Sequence, residues 1–270
     1  MTKKRLDVLL VEKELADTRE KAKRMIMAGT VYSEEQRLDK PGTKYDENIS
    51  LSIKGETLRY VGRGGLKLEK AIDAFQLNLS EKVMLDCGSS TGGFTDCGLQ
   101  NGIKHCYAID VGYNQLAWKL RSDERVTVME RTNFRYVTRD MLTNDLPNFA
   151  TVDVSFISLR LILPVLATLL EKNSDIIILI KPQFEAGREE VGKKGVVRDA
   201  TTHKEVLSDI LSFAKEESYD LIDLTYSPIT GGEGNIEFLA HLGWDQAIEQ
   251  SQVNLEKIER VVREAHEQLT

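Results

Sequence analysis

The sequence predicts an α/β fold, a mostly parallel and doubly wound sheet, with a small α+β domain ahead of it. Three observations carry this. Val83–Asp96, VMLDCGSSTGGFTD, reads as a buried strand, a glycine-rich turn and a helix start. Beyond it, short apolar strand runs alternate with helical patterns as far as His241. Residues 1–59 follow a different pattern, two short helices and then extended segments, which divides the chain into domains at 1–59 and 60–270.

Composition narrows the function. Of the 270 residues 41% are hydrophobic and 29% charged, the balance of a soluble chain with a real core. No apolar run approaches the ~20 residues that span a bilayer; Leu161–Leu170 comes nearest and Pro164 interrupts it. The first residues, MTKKRLDVLLVEKELA, carry charges through their apolar stretch and no small-residue cleavage site follows, so no signal peptide is expected. These features predict a cytoplasmic protein without a membrane partner. The three cysteines, Cys87, Cys97 and Cys106, form no C-x-x-C pair, and the four histidines make no ligand-spaced cluster, so neither disulfide nor metal is expected. Cys87, beside the glycine turn, reads as a small packing residue. The net charge of −7 argues against nucleic acid only until the chain is divided. Residues 1–59 hold 13 Lys/Arg against 11 Asp/Glu, an excess of about +2, while the remainder holds 23 against 32. Nothing in the sequence speaks to oligomeric state.

In the first domain, Leu6, Leu9 and Leu10 lie at helical spacing within Arg5–Leu15. Asp17 and Glu20 form a candidate capping box for a second helix, with Ala22, Met25 and Ile26 inward and Gly29 as its C-terminal stop. Arg19, Lys21, Lys23 and Arg24 crowd that helix, and Arg19 and Lys23 share a face. Val31 and Tyr32 begin an extended stretch, Pro41-Gly42 turns the chain, and Ile49–Ile53 reads as a strand. Gly62, Gly64 and Gly65 form a joint, after which Leu66, Leu68 and Ala71 start a helix. Lys67 in that helix is a solvated cation or a catalytic one; composition does not separate the two.

In the second domain, Gly88, Gly92 and Gly93 follow the strand that ends at Asp86. They permit a tight turn and a close approach of backbone to ligand. Their G-x-x-x-G-G spacing is not the G-x-G-x-x-G of nicotinamide or flavin sites. The next strand, His105–Asp110, ends in an acid able to accept hydrogen bonds from both hydroxyls of an adenosine ribose. Gln115–Arg121 is a short helix, Val126–Met129 and Phe149–Val154 are strands, and Leu161–Lys172 is helical. Asp175–Ile180 is a fully buried strand by its continuous apolar run. Thr201–Lys215 is a helix, Leu221–Tyr226 and Ile236–His241 are a final strand pair, and Asn254–Leu269 is a charged amphipathic helix. Ligands of such sheets sit at the C-terminal strand ends. There the sequence puts Asp153, Lys181 and, opening the last strand, Glu237. Singly, Lys181 is a strand-end cation and Asp153 a helix cap; together they suggest a site.

Several segments resemble known families. R-L-D-x-L-L, T-R-x-x-A and I-x-A-G-x-V, over residues 4–59, resemble the small RNA-binding domain named after ribosomal protein S4. That resemblance implies contact with RNA phosphates through Arg5, Arg19, Lys21, Lys23 and Arg24. D-x-G-x-x-x-G-G with Asp110 looks like the S-adenosylmethionine site of a Rossmann-like methyltransferase, which implies a mostly parallel seven-stranded sheet. Lys67, Asp153, Lys181 and Glu237 match in order and context the Lys-Asp-Lys-Glu set of FtsJ-like ribose 2′-O-methyltransferases. GRGGLKLEKA, LDCGSSTGGFTD, DVSFISL, LIKPQFE and GNIEF extend the likeness across the chain to the TlyA family, once labelled haemolysin, whose members resemble ribosomal RNA methyltransferases. Tyr60 stands where some relatives have Trp.

The resemblance implies S-adenosylmethionine as cofactor. It implies Asp86, Gly88, Ser89, Gly92, Gly93 and Phe94 around the methionine portion, Asp110 at the ribose and Asn133 near the adenine. It further implies ribosomal RNA or ribosomal subunits as partner, with cytidine the target. In such a site Asp153 orients a lysine, Lys181 accepts the hydroxyl proton or stabilises the developing alkoxide, and Glu237 keeps the lysines in register. The glycine-bearing loop Phe184–Val197 is expected to be mobile, with Arg188, Lys193 and Lys194 on substrate backbone or simply solvated. Three other readings compete. A non-catalytic RNA-binding protein would show damage to the lysines or the glycine turn, and none is visible. A haemolysin needs secretion or membrane insertion. A small-molecule methyltransferase leaves the N-terminal domain unexplained.

Overall fold

The computed structural model describes residues 3–27, 29–34, 36–54, 59–192, 194–246 and 253–270, the side chain of Arg24 excepted. The chain forms two compact units, Met1–Arg59 and Tyr60–Thr270. In the first, strand β1 (Lys3–Arg5) leads into helices α1 (Leu6–Glu12) and α2 (Arg19–Met27). Four short strands follow: β2 (Val31–Ser33), β3 (Gln36–Arg37), β4 (Lys44–Asp46) and β5 (Ser52–Ile53). β1 pairs antiparallel with β4, and β2 lies between β3 and β5. Leu6, Leu10, Ala22, Ile26 and Val31 form the core, which explains why the leucines recur at helical spacing.

The second unit begins with α3 (Gly64–Phe75), β6 (Val83–Cys87), α4 (Gly93–Gln100), β7 (His105–Ile109), α5 (Trp118–Arg121) and β8 (Val126–Met129). It continues through β9 (Phe149–Val152), α6 (Leu163–Leu169), β10 (Ser174–Ile180), α7 (Pro182–Glu185) and α8 (Ala200–Glu216). It closes with β11 (Tyr219–Tyr226), β12 (Phe238–Trp244) and α9 (Leu255–Leu269). Among the described residues these strands make one seven-stranded sheet in the order β11-β12-β10-β9-β6-β7-β8. β10, β9, β6, β7 and β8 run parallel; β12 is antiparallel to β10 and to β11.

Both faces of the sheet are covered, which is why β10 is apolar throughout. Ile176, Ile178 and Ile180 point into a core shared with α6, α8 and α9, while Ile177 and Leu179 point into one shared with α3 and α4. Each such side chain contributes about 1.5–3 kcal/mol by leaving water. α9 buries Ile258, Val261, Val262 and Ala265, a stripe at helical spacing, and Asn254 caps it by accepting the Lys257 N–H at 2.8 Å. Asp199 caps α8 in the same way through Thr201 and Thr202.

Some elements differ from the sequence reading. The second helix is capped by Thr18 Oγ1, which accepts the Lys21 N–H at 3.2 Å, and not by Asp17, whose carboxylate takes the Lys21 ammonium. The helix expected over Gln115–Arg121 shrinks to Trp118–Arg121, because the Glu130 carboxylate takes the backbone N–H groups of Asn114 and Gln115. The helix expected over Leu161–Lys172 shortens to Leu163–Leu169, with Pro164 in its first turn, where a missing N–H costs nothing. Ile49–Ile53 is extended as a paired strand only at Ser52–Ile53, since Asp46 turns the chain by accepting from Asn48 and Ile49.

Candidate active site

Glycine decides how close the first turn of the sheet comes to its neighbour. Gly88 follows β6 with φ +87°, and a Cβ there would lie 2.3 Å from the Asp153 carbonyl oxygen. Only glycine lets β6 and the end of β9 meet so closely. A Cβ on Gly93 would lie 2.8 Å from Gly65 N, so the glycines of the joint press against the start of α4. That contact brings α3, and with it Lys67, to the strand ends.

The parallel strands β9 and β10 deliver Asp153 and Lys181 just past their C-terminal ends. β12 runs the other way, so Glu237, just before it, reaches the same edge; Ile180 pairs with Phe238. The result is a chain of alternating charge. Lys181 Nζ lies 2.5 Å from Asp153 Oδ1, Asp153 Oδ2 lies 3.6 Å from Lys67 Nζ, and Lys67 Nζ lies 2.6 Å from Glu237 Oε2. Lys67, Lys181 and Glu237 are buried, so each charge depends on its neighbours for compensation. Ser155 Oγ accepts a further hydrogen bond from Lys181 at 3.1 Å, and Gln183 Nε2 donates to Glu237 Oε1 at 3.3 Å.

These residues line a cavity of about 550 Å³ together with Arg63, Gly88, Ser89, Gly93 and Phe94. Lys194 is on its wall; Arg188 lines a neighbouring groove of about 680 Å³ with Phe156, Phe184 and Gln183. Lys193 lies outside the described residues. Asp86, Gly92, Asp110 and Asn133 are not on the cavity wall. Asp110 accepts the backbone N–H groups of Ser90 at 2.8 Å and Gly112 at 2.6 Å, one on each oxygen. Gly92 caps α4 with φ +94°, and the Asn133 side chain accepts the Arg135 N–H.

Asp86 lies behind the cavity wall. It is fully buried, and its two oxygens accept the hydroxyls of Thr95 and Thr151, at 2.7 and 2.9 Å. Burial pushes its carboxyl up to about 6; the threonine hydroxyls pull the other way, and the negative Asp153 adds to the rise. The folded state therefore holds a proton that the unfolded chain releases near pH 4, and this contribution to stability is lost as pH rises from about 4 to about 6. Asp86→Asn removes the titration. Its stability relative to the parent should rise by about 2–3 kcal/mol between pH 4 and 6.5 in urea unfolding.

Burial pushes the Cys87 thiol well above its ordinary value, consistent with packing and not nucleophilic chemistry. Among the described residues no cluster of three His, Cys, Asp or Glu is arranged to hold a metal ion. In the first unit four of the five predicted RNA contacts are ion-paired, and the side chain of the fifth, Arg24, lies outside the described residues. Arg5 Nε and Arg19 reach the buried Asp7 at 2.9 and 2.8 Å, Lys21 pairs with Asp17 and Lys23 with Glu20. The Arg5 guanidinium above all, with Arg19, holds the Asp7 carboxyl down to about 2.

Sequence reading missed Ser155, Phe156 and Gln183. Phe156 is 91% exposed with φ +63°, a left-handed conformation that a bulky residue seldom adopts. Its ring lies 5.0 Å from that of Phe184, over which Lys181 Nζ stands at 5.9 Å. The signal was proximity alone: DVSFIS holds Ser155 and Phe156 beside Asp153, and KPQFE holds Gln183 and Phe184 beside Lys181.

A glycine turn, strand-end acids and a buried lysine pair on this sheet define a methyltransferase class of protein. The chain belongs to the FtsJ-like methyltransferase family, whose model matches residues 60–244, and an S4 domain matches residues 4–48. YqxC of Bacillus subtilis, named as a proposed rRNA methyltransferase, is 64% identical over 99% of this chain and 95% of its own. The 16S/23S rRNA (cytidine-2′-O)-methyltransferase TlyA of Mycobacterium tuberculosis is 38% identical over 88% of this chain and 89% of its own. A solved structure from Streptococcus thermophilus, described as a proposed hemolysin, superposes with a TM-score of 0.79 at 51% identity, covering 99% of this chain and 97% of that one. Among the described residues no helix is long and apolar enough to cross a membrane.

Proposed function

We propose that this protein methylates the 2′-hydroxyl of a cytidine ribose in ribosomal RNA, with S-adenosylmethionine as methyl donor, in the cytoplasm. The observation that carries the reading is the Lys181–Asp153–Lys67–Glu237 chain at the strand ends, beside the glycine turn. The relatives named for rRNA and cytidine-2′-O methylation support the substrate.

The residues present fit the donor. Asp110 has one backbone N–H on each oxygen, which fixes the carboxylate and leaves each oxygen a further lone pair for a ribose diol. Gly88, Ser89, Gly93 and Phe94 wall the cavity between it and the lysines. Asp86 supports this wall from beneath, through Thr95 of α4 and Thr151 of β9. When bound, S-adenosylmethionine supplies an electrophilic sulfonium methyl.

The chain's own task is alignment and proton handling. Asp153 and Ser155 hold two donors of Lys181 and leave its remaining valence facing the cavity. There the lysine receives the 2′-hydroxyl proton or, as an ammonium, stabilises the developing alkoxide. Lys67 and Glu237 hold Asp153 in place. Arg5, Arg19, Lys21, Lys23 and Arg24 are the proposed phosphate contacts of residues 1–59. Arg188, Lys193 and Lys194 are those beside the cavity.

Phe156 offers a flat exposed ring for a nucleobase. Stacking on an aromatic side chain is worth about 1–3 kcal/mol per base. Phe156→Ala should therefore raise the KM for RNA about tenfold or more, with cofactor affinity unchanged in calorimetry. The reading as a whole is tested by incubating the protein with methyl-labelled S-adenosylmethionine and purified ribosomal subunits. Label in RNA supports it; label confined to small molecules refutes it.

A further inference from the structure

Gln183 carries an acceptor without a donor. Its carboxamide Nε2 points at Glu237 Oε1, 3.3 Å away. A carboxylate oxygen only accepts, so the amide cannot be turned the other way without setting oxygen against oxygen. The remaining atom, Oε1, is therefore the carbonyl oxygen. It is buried and has no hydrogen-bond partner among the described residues. A buried acceptor left so destabilises the fold unless something meets it. Yet the residue stands on the wall shared by the catalytic cavity and the aromatic groove of Phe156 and Phe184.

What would satisfy it follows from the chemistry of an internal RNA nucleotide. Its 3′ and 5′ oxygens are esterified, so the sugar offers a single donor, the 2′-hydroxyl. That donor belongs at Lys181. Gln183 also borders the groove of Phe156 and Phe184, which the glycine turn does not reach, so its acceptor is placed for an N–H of the base. Cytosine presents the two N–H donors of its exocyclic amine where uracil presents a carbonyl oxygen.

We propose that Gln183 is a specificity-determining residue that accepts a hydrogen bond from the exocyclic amine of the target cytosine and so selects cytidine over uridine. The inference rests on the ribose methyltransferase reading above. Glu237 fixes the polarity of the amide and Gln183 does the reading, so the catalytic chain and base selection share one carboxylate. Oε1 is covered in this structure, so seating the nucleotide must turn the amide carbonyl toward the groove, and the arriving N–H then completes an unmet bond. Uracil sets its own carbonyl against Oε1 and leaves both unpaired. Sites built in this way reject the wrong partner strongly.

The test compares ribosomal subunits whose mapped target nucleotide is cytidine with subunits carrying uridine there. The enzymes are the parent and Gln183→Met, which keeps the volume and removes the amide. The parent should prefer cytidine by about 100-fold or more. Gln183→Met should lose about that factor on cytidine and hold its rate on uridine, with S-adenosylmethionine affinity within a few-fold by calorimetry. Equal rates of the parent on both nucleotides would overturn the inference while leaving ribose methylation standing. So would a variant slowed equally on both, unchanged on both, or unable to bind cofactor. Absence of any ribose methylation by the parent would instead remove the underlying functional reading.

Discussion

Lys181→Ala lowers methyl transfer by about three to four orders of magnitude and leaves cofactor affinity within a few-fold. Removing a proton-handling or alkoxide-stabilising group of this kind typically costs about 10²–10⁴ in rate. The fold should tolerate the change, because Asp153 keeps a cationic partner in Lys67 at 3.6 Å. The proposed cofactor-side wall, Gly88 to Thr91 with Gly93 and Phe94, has no part in the substitution. Single-turnover kinetics and calorimetry on the same preparation separate the two quantities. A variant retaining most of its rate would remove Lys181 from the mechanism.

The second large effect falls on stability as well as rate. Glu237→Ala leaves the Lys67 ammonium buried without its 2.6 Å partner. Breaking a buried ion pair from one side costs about 3–5 kcal/mol. Replacing both partners, Lys67→Met with Glu237→Leu, removes the ammonium that Asp153 alone, at 3.6 Å, compensates poorly and should recover most of that loss. Methyl transfer should not return with stability, because Asp153 has then lost its second lysine. Denaturant unfolding of Glu237→Ala and of the double variant checks the first part. Methyl transfer by the double variant checks the second. A double variant as unstable as Glu237→Ala would show that the carboxylate is held by more than its pairing with Lys67.

The sheet was legible because its strands are short apolar runs separated by helical periodicity, and DIIILI could only be a strand buried on both faces. Boundaries were less legible where a distant side chain competes for backbone groups. Glu130 does this over Asn114 and Gln115, and nothing in the local sequence announces it. At the site, strand ends expose Asp153, Lys181 and Glu237 to sequence reasoning. The antiparallel return of β12 is what brings Glu237 to the same edge. Lys67 was legible only by resemblance, since its place depends on the press of Gly93 against Gly65.

Asp86 shows the opposite difficulty. A strand-end acid beside a glycine turn reads as a ligand contact, yet Asp86 is fully buried, off the cavity wall, with its oxygens turned to Thr95 and Thr151. Those partners lie 9 and 65 residues away, one on a helix and one on another strand. The left-handed turn at Phe156 and the fixed polarity of Gln183 are likewise properties of packing, and the letters around them do not encode either one.

The most direct measurement is the chemical position of the transferred methyl. A 2′-O-methyl group blocks attack of that oxygen on the neighbouring phosphate, so alkali leaves the modified nucleotide joined to its 3′ neighbour. Ribosomal RNA labelled by the protein from methyl-labelled S-adenosylmethionine should release its label in alkali-resistant dinucleotides containing cytidine, and Lys181→Ala should yield none. Label recovered in mononucleotides would mean methylation of a base, and would contradict the assignment of the lysine–carboxylate chain to ribose chemistry.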